Sequence, residues 1–157
     1  MTLEEAISEK LEELRRNRAQ LYVKIAKDAI FPCFMANYIR SGLKFQTGAF
    51  KQALSGPYAK GAIFQIDGYK LIAGIDYNIV PYAKFQIEGV SHSWVIRPKR
   101  PHKFLSFLID GRRVYARRVV HPGLKAHDII FMTGSSMSRV RMLAEDYFKE
   151  LINDANA

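Results

Sequence analysis

Leu3, Ile7, Leu11, Leu14, Leu21, Ile25 and Ala29 follow one another in steps of three and four, with Arg18 filling the single gap in the stripe. No other feature limits the fold so strongly. The spacing puts these side chains on one face of a helix and predicts a helix over 3–29, roughly 40 Å long at the α-helical rise. Thr2 is placed to cap it, and Glu4 and Glu5 suit its positive N-terminal end. The opposite face alternates acids and bases and is expected to be wet. So long an apolar stripe exceeds what a small domain covers by itself. It must lie across a sheet or pack on a neighbouring subunit. Pro32 is expected to bend or end the helix, because it lacks an N–H and clashes with the preceding turn. "CFMANYIRS" then continues helically to Gly42.

The remaining segments alternate short helices with strands. Thr47 is placed to cap a short helix through Ser55, which Gly56-Pro57 ends. Two strands are predicted, about 58–66 and 69–75, joined at Asp67-Gly68 by a type I′ hairpin turn. "VPYAKFQIEG" reads as one or two helical turns closing at Gly89, and "HSWVIRP" as a strand. After the loop "KRPHK", "FLSFLID" and "RRVYARRVV" form a second hairpin about Asp110-Gly111. Along its return strand Arg112, Val114, Ala116, Arg118 and Val120 fall on one face and Arg113, Tyr115, Arg117 and Val119 on the other, so neither face is purely apolar. This hairpin is expected to project from the body or lie at its edge. "HPGLKAHD" is a loop. From Asp128 the chain is expected to be helical, in one piece or in two broken near "TGSS", with Ser135-Ser136 as a cap. The pattern is α+β: hairpins and short strands between a long N-terminal helix and a C-terminal helix. The 157 residues, 48% of them hydrophobic, are expected to form a single domain over 1–157. Trp94, Phe104, Phe107, Tyr115, Phe131 and Phe148 are its expected buried aromatics once the protein is assembled.

Charge narrows the partners. The formal net charge is +9. From His92 to Lys125 stand nine Lys/Arg against one acid, Asp110, so nearly all of the excess is local. A positive surface of that kind faces a nucleic acid or an acidic protein; in a purely defensive role, edge charges block stray strand pairing. Arg97, Lys99, Arg100, Arg112, Arg113, Arg117 and Arg118 are its candidate interface residues. No apolar run reaches the roughly 18 residues of a membrane span, and the acidic start fits neither a secretory signal nor a transit peptide. The single cysteine, Cys33, permits no internal disulfide, which points to a reducing cytoplasm. Its apolar setting, "AIFPCFM", suits a buried inert thiol.

Catalytic chemistry finds little support. His121 and His127 are six apart across Pro-Gly, which is no helical ligand pair. Asp67, Asp76 and Asp110 sit where turns need them. No cofactor, metal or catalytic residues are assigned. The one enzymatic alternative is a toxin-like endoribonuclease using His102, His121, Tyr115 and Arg117. The other alternative is a nucleic-acid-binding module.

Several stretches together resemble a known family. "TGAFKQAL" (Thr47–Leu54), "PYAKFQIEG" (Pro81–Gly89), "HSWVIRPK" (His92–Lys99) and "FLSFLIDGRRVYARRVVHPGLKA" (Phe104–Ala126) are similar, in order and spacing, to segments of the minor structural proteins that join head and tail in long-tailed bacteriophages. The family's Pro-Phe after the final Ala is missing here: "AHDIIFM" has no proline and delays the aromatic to Phe131. The resemblance implies a neck or tail-completion protein without catalysis, its fold a curved, mainly antiparallel sheet packed against the long N-terminal helix and the C-terminal helix. It would form a ring with copies of itself around the DNA channel, between portal or adaptor proteins and tail-tube or tail-terminator proteins. It would sit in the virion, at the head–tail junction, after assembly in the host cytoplasm. The basic ribbon would then meet acidic protein, with a minority of arginines touching genomic DNA.

Overall fold

The computed structural model describes residues 3–43 and 48–155. The expected caps Thr2 and Thr47 lie outside the described residues. The fold is α+β: a long N-terminal helix, a C-terminal helix and small antiparallel sheets. The described strands form three separate two-stranded ladders where one curved sheet was expected. The chain divides into two compact units, Met1–Ala83 with Asp128–Ala157, and Lys84–His127.

The first unit is built on helices. α1 (Leu3–Ile25) runs without a break into a π-helical turn (Ala26–Ile30) and then α2 (Phe31–Arg40). Pro32 therefore does not end the helix. It stands in the first turn of α2, where its missing N–H is cheapest. The turn before it is widened, with the Phe31 N–H donating to Ala26 O five residues back. Leu21, Ile25 and Ala29 of the stripe pack on Leu143 of α5 (Gly134–Ala155), with Tyr22, Val140 and Tyr147 around them. Tyr147 Oη donates to Asn17 O at 2.7 Å, pinning α5 to the middle of α1. Beyond that point the stripe is uncovered: Ile7, Leu11 and Leu14 are each about half exposed.

A second core lies around α2. Phe31, Phe34, Tyr38, Phe50 of α3 (Ala49–Ala53), Leu54, Val80 and Ile129 are buried. Tyr38 meets Phe50 edge to face, with centroids 5.0 Å apart. Ile129 belongs to a non-helical segment, 128–133, so α5 starts later than expected and runs as one helix. Its cap is Thr133, whose Oγ1 accepts the Ser136 N–H at 3.2 Å; Ser135 and Ser136 already lie inside the helix. β1 (Ala62–Asp67) and β2 (Lys70–Ile75) pair in the expected hairpin, one residue out of the expected turn. The loop is Gly68-Tyr69, and only Gly68 has positive φ (+56°), which is the pattern of a type II′ turn, not type I′.

The second unit holds the later half of α4 (Pro81–Glu88) and four strands. β3 (Trp94–Ile96) pairs with β6 (Val119–His121), and β4 (Leu105–Ile109) with β5 (Arg112–Ala116). The "RRVYARRVV" segment is thus two strands. It breaks at Arg117-Arg118 and changes partner. Asp110 and Gly111, at φ of 49° and 78°, form the expected turn between β4 and β5, with the positive φ at both positions of a type I′ turn. Two glycines let backbone cross backbone. A Cβ on Gly123 would stand 2.5 Å from Val90 O, and one on Gly89 would stand 2.7 Å from Ala126 N. The crossing is closed by paired hydrogen bonds between Val90 and Leu124, at 2.8 and 3.0 Å.

Candidate functional site

Charge and fold divide the chain at the same place. The second unit carries ten Lys/Arg against Glu88 and Asp110, and the rest of the chain is nearly neutral. Arg97, Lys99, Arg100, Arg112, Arg113, Arg117 and Arg118 are all exposed. None of them makes an ion pair among the described residues, where the salt bridges are Lys10–Glu13, Arg15–Glu12 and Lys149–Asp146. Uncompensated like charge on so small a unit repels itself and favours an anionic partner.

Register sorts the hairpin's side chains. Leu105 opposes Ala116 and Phe107 opposes Val114, and these four form a half-buried face. Ser106 opposes Tyr115 and Leu108 opposes Arg113 on the other face, where Leu108 and Tyr115 are about two-thirds exposed. The Arg117 guanidinium lies over the Phe104 ring, 5.7 Å from its centroid. The hairpin thus has one apolar face, although Arg112 and Arg113 point to opposite sides at its turn. Phe104 and Tyr115 are exposed in the chain, as are Phe131 and Phe148 of the first unit, while Trp94 and Phe107 are half-buried. The expected aromatic core is not formed within one chain. Among the described residues the buried aromatics are instead Phe31, Phe34, Tyr38 and Phe50.

Beside these charges the second unit has an open apolar pocket of about 400 Å³, lined by Phe85, Val90, His92, Trp94 and Leu124. The pairing of β3 with β6 sets Trp94 opposite His121, and the two rings stack at 4.2 Å with 12° between planes. His92 meets the same indole edge to face. His121 Nδ1 accepts the Gly123 N–H at 3.3 Å. Of the sequence's "HSW" and "HPG", Trp94 and His121 lie on paired strands, but strand partners cannot be read from a strand's own residues.

The residues of the nuclease alternative are scattered over different elements: His102 in the turn closed by its N–H to Lys99 O, Tyr115 on the exposed hairpin face, and His121 in the indole stack. Among the described residues no group of three or more His, Cys, Asp or Glu could hold a metal ion. Cys33 borders a shallow pocket of about 270 Å³ with Ser135, Ser136 and Arg139. Burial pushes its thiol up, but hydrogen bonds from Ser136, Thr133 and Asn37 prevail and hold it below the ordinary thiol value. Asp28 lines the same pocket, and Cys33 is the sequence's single cysteine, so no second thiol stands with it. No described helix is long and apolar enough to cross a membrane.

Compared with known protein families, curated proteins and solved structures, the chain has no match.

Proposed function

We propose that this chain is a structural protein of a tailed phage virion, assembling with copies of itself as a ring at the head–tail junction and catalysing nothing. The observation that carries this reading is the unit Lys84–His127. Its exposed cations have no carboxylate partner among the described residues, and it displays apolar side chains that a solitary protein would cover. The uncovered end of the α1 stripe supports the same reading. Rings need two different, mutually complementary patches on each subunit. The segments resembling neck and tail-completion proteins assign the ring to the head–tail junction, next to portal or adaptor and tail-tube or terminator proteins.

The arginines are assigned to acidic protein. A subunit neutralising even six phosphates binds DNA strongly and in a salt-dependent way; repeated round a ring, that grip would brake DNA passage. The runner-up is a nucleic-acid-binding module, favoured by the arginines interleaved with Phe104 and Tyr115. Electron microscopy of the purified protein, and of virions labelled at its C-terminus, decides. Rings and a label at the neck are expected; a label elsewhere, or none in the virion, overturns the reading.

A further inference from the structure

Cations that the chain does not neutralise stand next to the apolar pocket of the second unit. Lys84 precedes Phe85 of the pocket wall and Lys125 follows Leu124, so each Cα lies about 3.8 Å from that of a lining residue. Arg97 follows Trp94 by three residues of extended chain, about 10 Å. The three cations come from separate segments: α4, the end of β3 and the loop after β6. All are exposed, and none makes an ion pair among the described residues. Against the unit's ten Lys/Arg stand only Glu88 on α4 and Asp110 at the hairpin turn.

The wall decides which kind of anion fits. It is almost wholly apolar, made by Phe85, Val90, Trp94, Leu124 and the His92 ring. His121 covers one face of the Trp94 indole. A nucleobase entering the pocket could stack only on the other face, and its polar edges would leave water without gaining partners. An aliphatic or phenyl side chain gives up no hydrogen bonds there and buries its surface with that of the wall. We infer that this pocket receives one apolar side chain from an acidic segment of another protein, whose carboxylates beside that anchor meet Lys84, Arg97 and Lys125. Charge steers the segment and fixes its direction, while the anchor in the tryptophan pocket concentrates the binding energy. The inference rests on the assignment of the unit's cations to acidic protein and adds the feature that this partner must carry: an apolar side chain within a few residues of its acids.

Trp94 is the chain's only tryptophan, so its emission reports on the pocket in the full-length protein without a label. The probe is a synthetic, tryptophan-free peptide with one phenylalanine between runs of glutamate; calorimetry alongside registers any binding that leaves Trp94 undisturbed. A saturable change in emission is expected. Replacing the phenylalanine by alanine, or the glutamates by glutamine, should weaken binding several-fold. Lys84→Glu with Lys125→Glu should do the same, and a peptide with lysines for glutamates should bind that variant better than the unaltered protein. Phe85→Ala, at a half-exposed wall residue, should weaken the phenylalanine peptide and not the alanine one. Circular dichroism checks that each variant is folded. Equal affinity for the alanine peptide, or binding without change at Trp94, overturns the inference, because the cations then act alone. Equal affinity for the glutamine peptide overturns it too, leaving a cleft without charge selection. Tighter binding of oligothymidylate at the same salt overturns it in favour of nucleic acid. Emission that changes with protein concentration alone, and that the peptide does not reverse, overturns it in favour of a second copy of the chain. No binding of any probe overturns it outright; if that protein still labels the neck of the virion, only this contact is removed. A protein that binds the acidic peptide and is absent from virions keeps the contact and loses the virion reading.

Discussion

At Gly123 the backbone stands where a side chain has no room. Its φ is +105°, and a Cβ would press on Val90 O at 2.5 Å, a backbone atom held by hydrogen bonds. Gly123→Ala should therefore destabilise the second unit, by about 1–3 kcal/mol for a strained backbone position; tryptophan fluorescence follows it, because Trp94 is the chain's only tryptophan. Asn37 is a buried polar case. Its Nδ2 donates to Ile129 O and Phe131 O, both at 3.1 Å, and its Oδ1 has no partner among the described residues. Asn37→Leu would strand the Ile129 carbonyl and leave Phe131 O only the weak Cys33 thiol donor at 3.4 Å, and should cost about 1–3 kcal/mol in a thermal melt. Tyr38 makes the fold alkali-sensitive. Burial, with a smaller contribution from Tyr82, pushes its phenol up to about 12 from the usual 10. The folded state thus holds the Tyr38 proton more tightly than the unfolded one. That stability is complete below pH 10 and is lost as the pH rises towards 12. Tyr38→Phe should flatten the loss in melts across that range. In the sequence, "HPG" stood out as a motif, but not the carbonyl that Gly123 must clear. Asn37 gave no signal, since its partners lie more than ninety residues away.

At the element scale, legibility followed the range of the interaction. The α1 stripe, the Asp110-Gly111 turn and the Gly89 helix stop are local, and the structure has them. Pro32 does not end the helix because the stabilising contacts are tertiary: buried Phe31, Cys33 and Phe34 hold the helix through it, just after a π turn. The single curved sheet failed because "RRVYARRVV" changes partner at Arg117-Arg118, which periodicity does not reveal. The candidate basic surface was legible as composition; its pocket was not, because pairing β3 with β6 assembles it. The same contrast yields a prediction for α5. Leu143 packs against Leu21, Ile25 and Ala29, so Leu143→Ala should cost about 2–5 kcal/mol. Phe148 is 57% exposed, so Phe148→Ala should change the melt of the unassembled chain by about 0.5 kcal/mol or less. A large effect of Phe148→Ala would instead mean that the chain melts from an assembly covering that ring.

Over the whole molecule, one nearly neutral unit carries the helical core and another carries the charge. Arg112, Arg113, Arg117 and Arg118 sit on or just beyond β5, all exposed, with no carboxylate partner among the described residues. Exposed charges of this kind contribute little to folding, whereas in an interface they set orientation and partner choice. Changing all four to Gln should therefore leave the melting temperature of the chain nearly unchanged and lower its self-association. Relieving like-charge repulsion within the unit offsets part of the small cost, including the lost contact of Arg117 with Phe104. In virion assembly the quadruple variant should leave heads and tails unjoined, counted by electron microscopy. Normal joining would reduce the arginines to a solvated face. Joined particles that leak DNA from filled heads would reassign them from protein to DNA. Salt separates those two partners before any virion is made. Contacts between carboxylate and guanidinium weaken gradually as the Debye length falls from about 10 Å at 0.1 M salt to about 3 Å at 1 M. Binding to DNA through several phosphates falls as a steep power of salt concentration. A shallow salt dependence of self-association, with no retention of DNA at physiological salt, is the expected result.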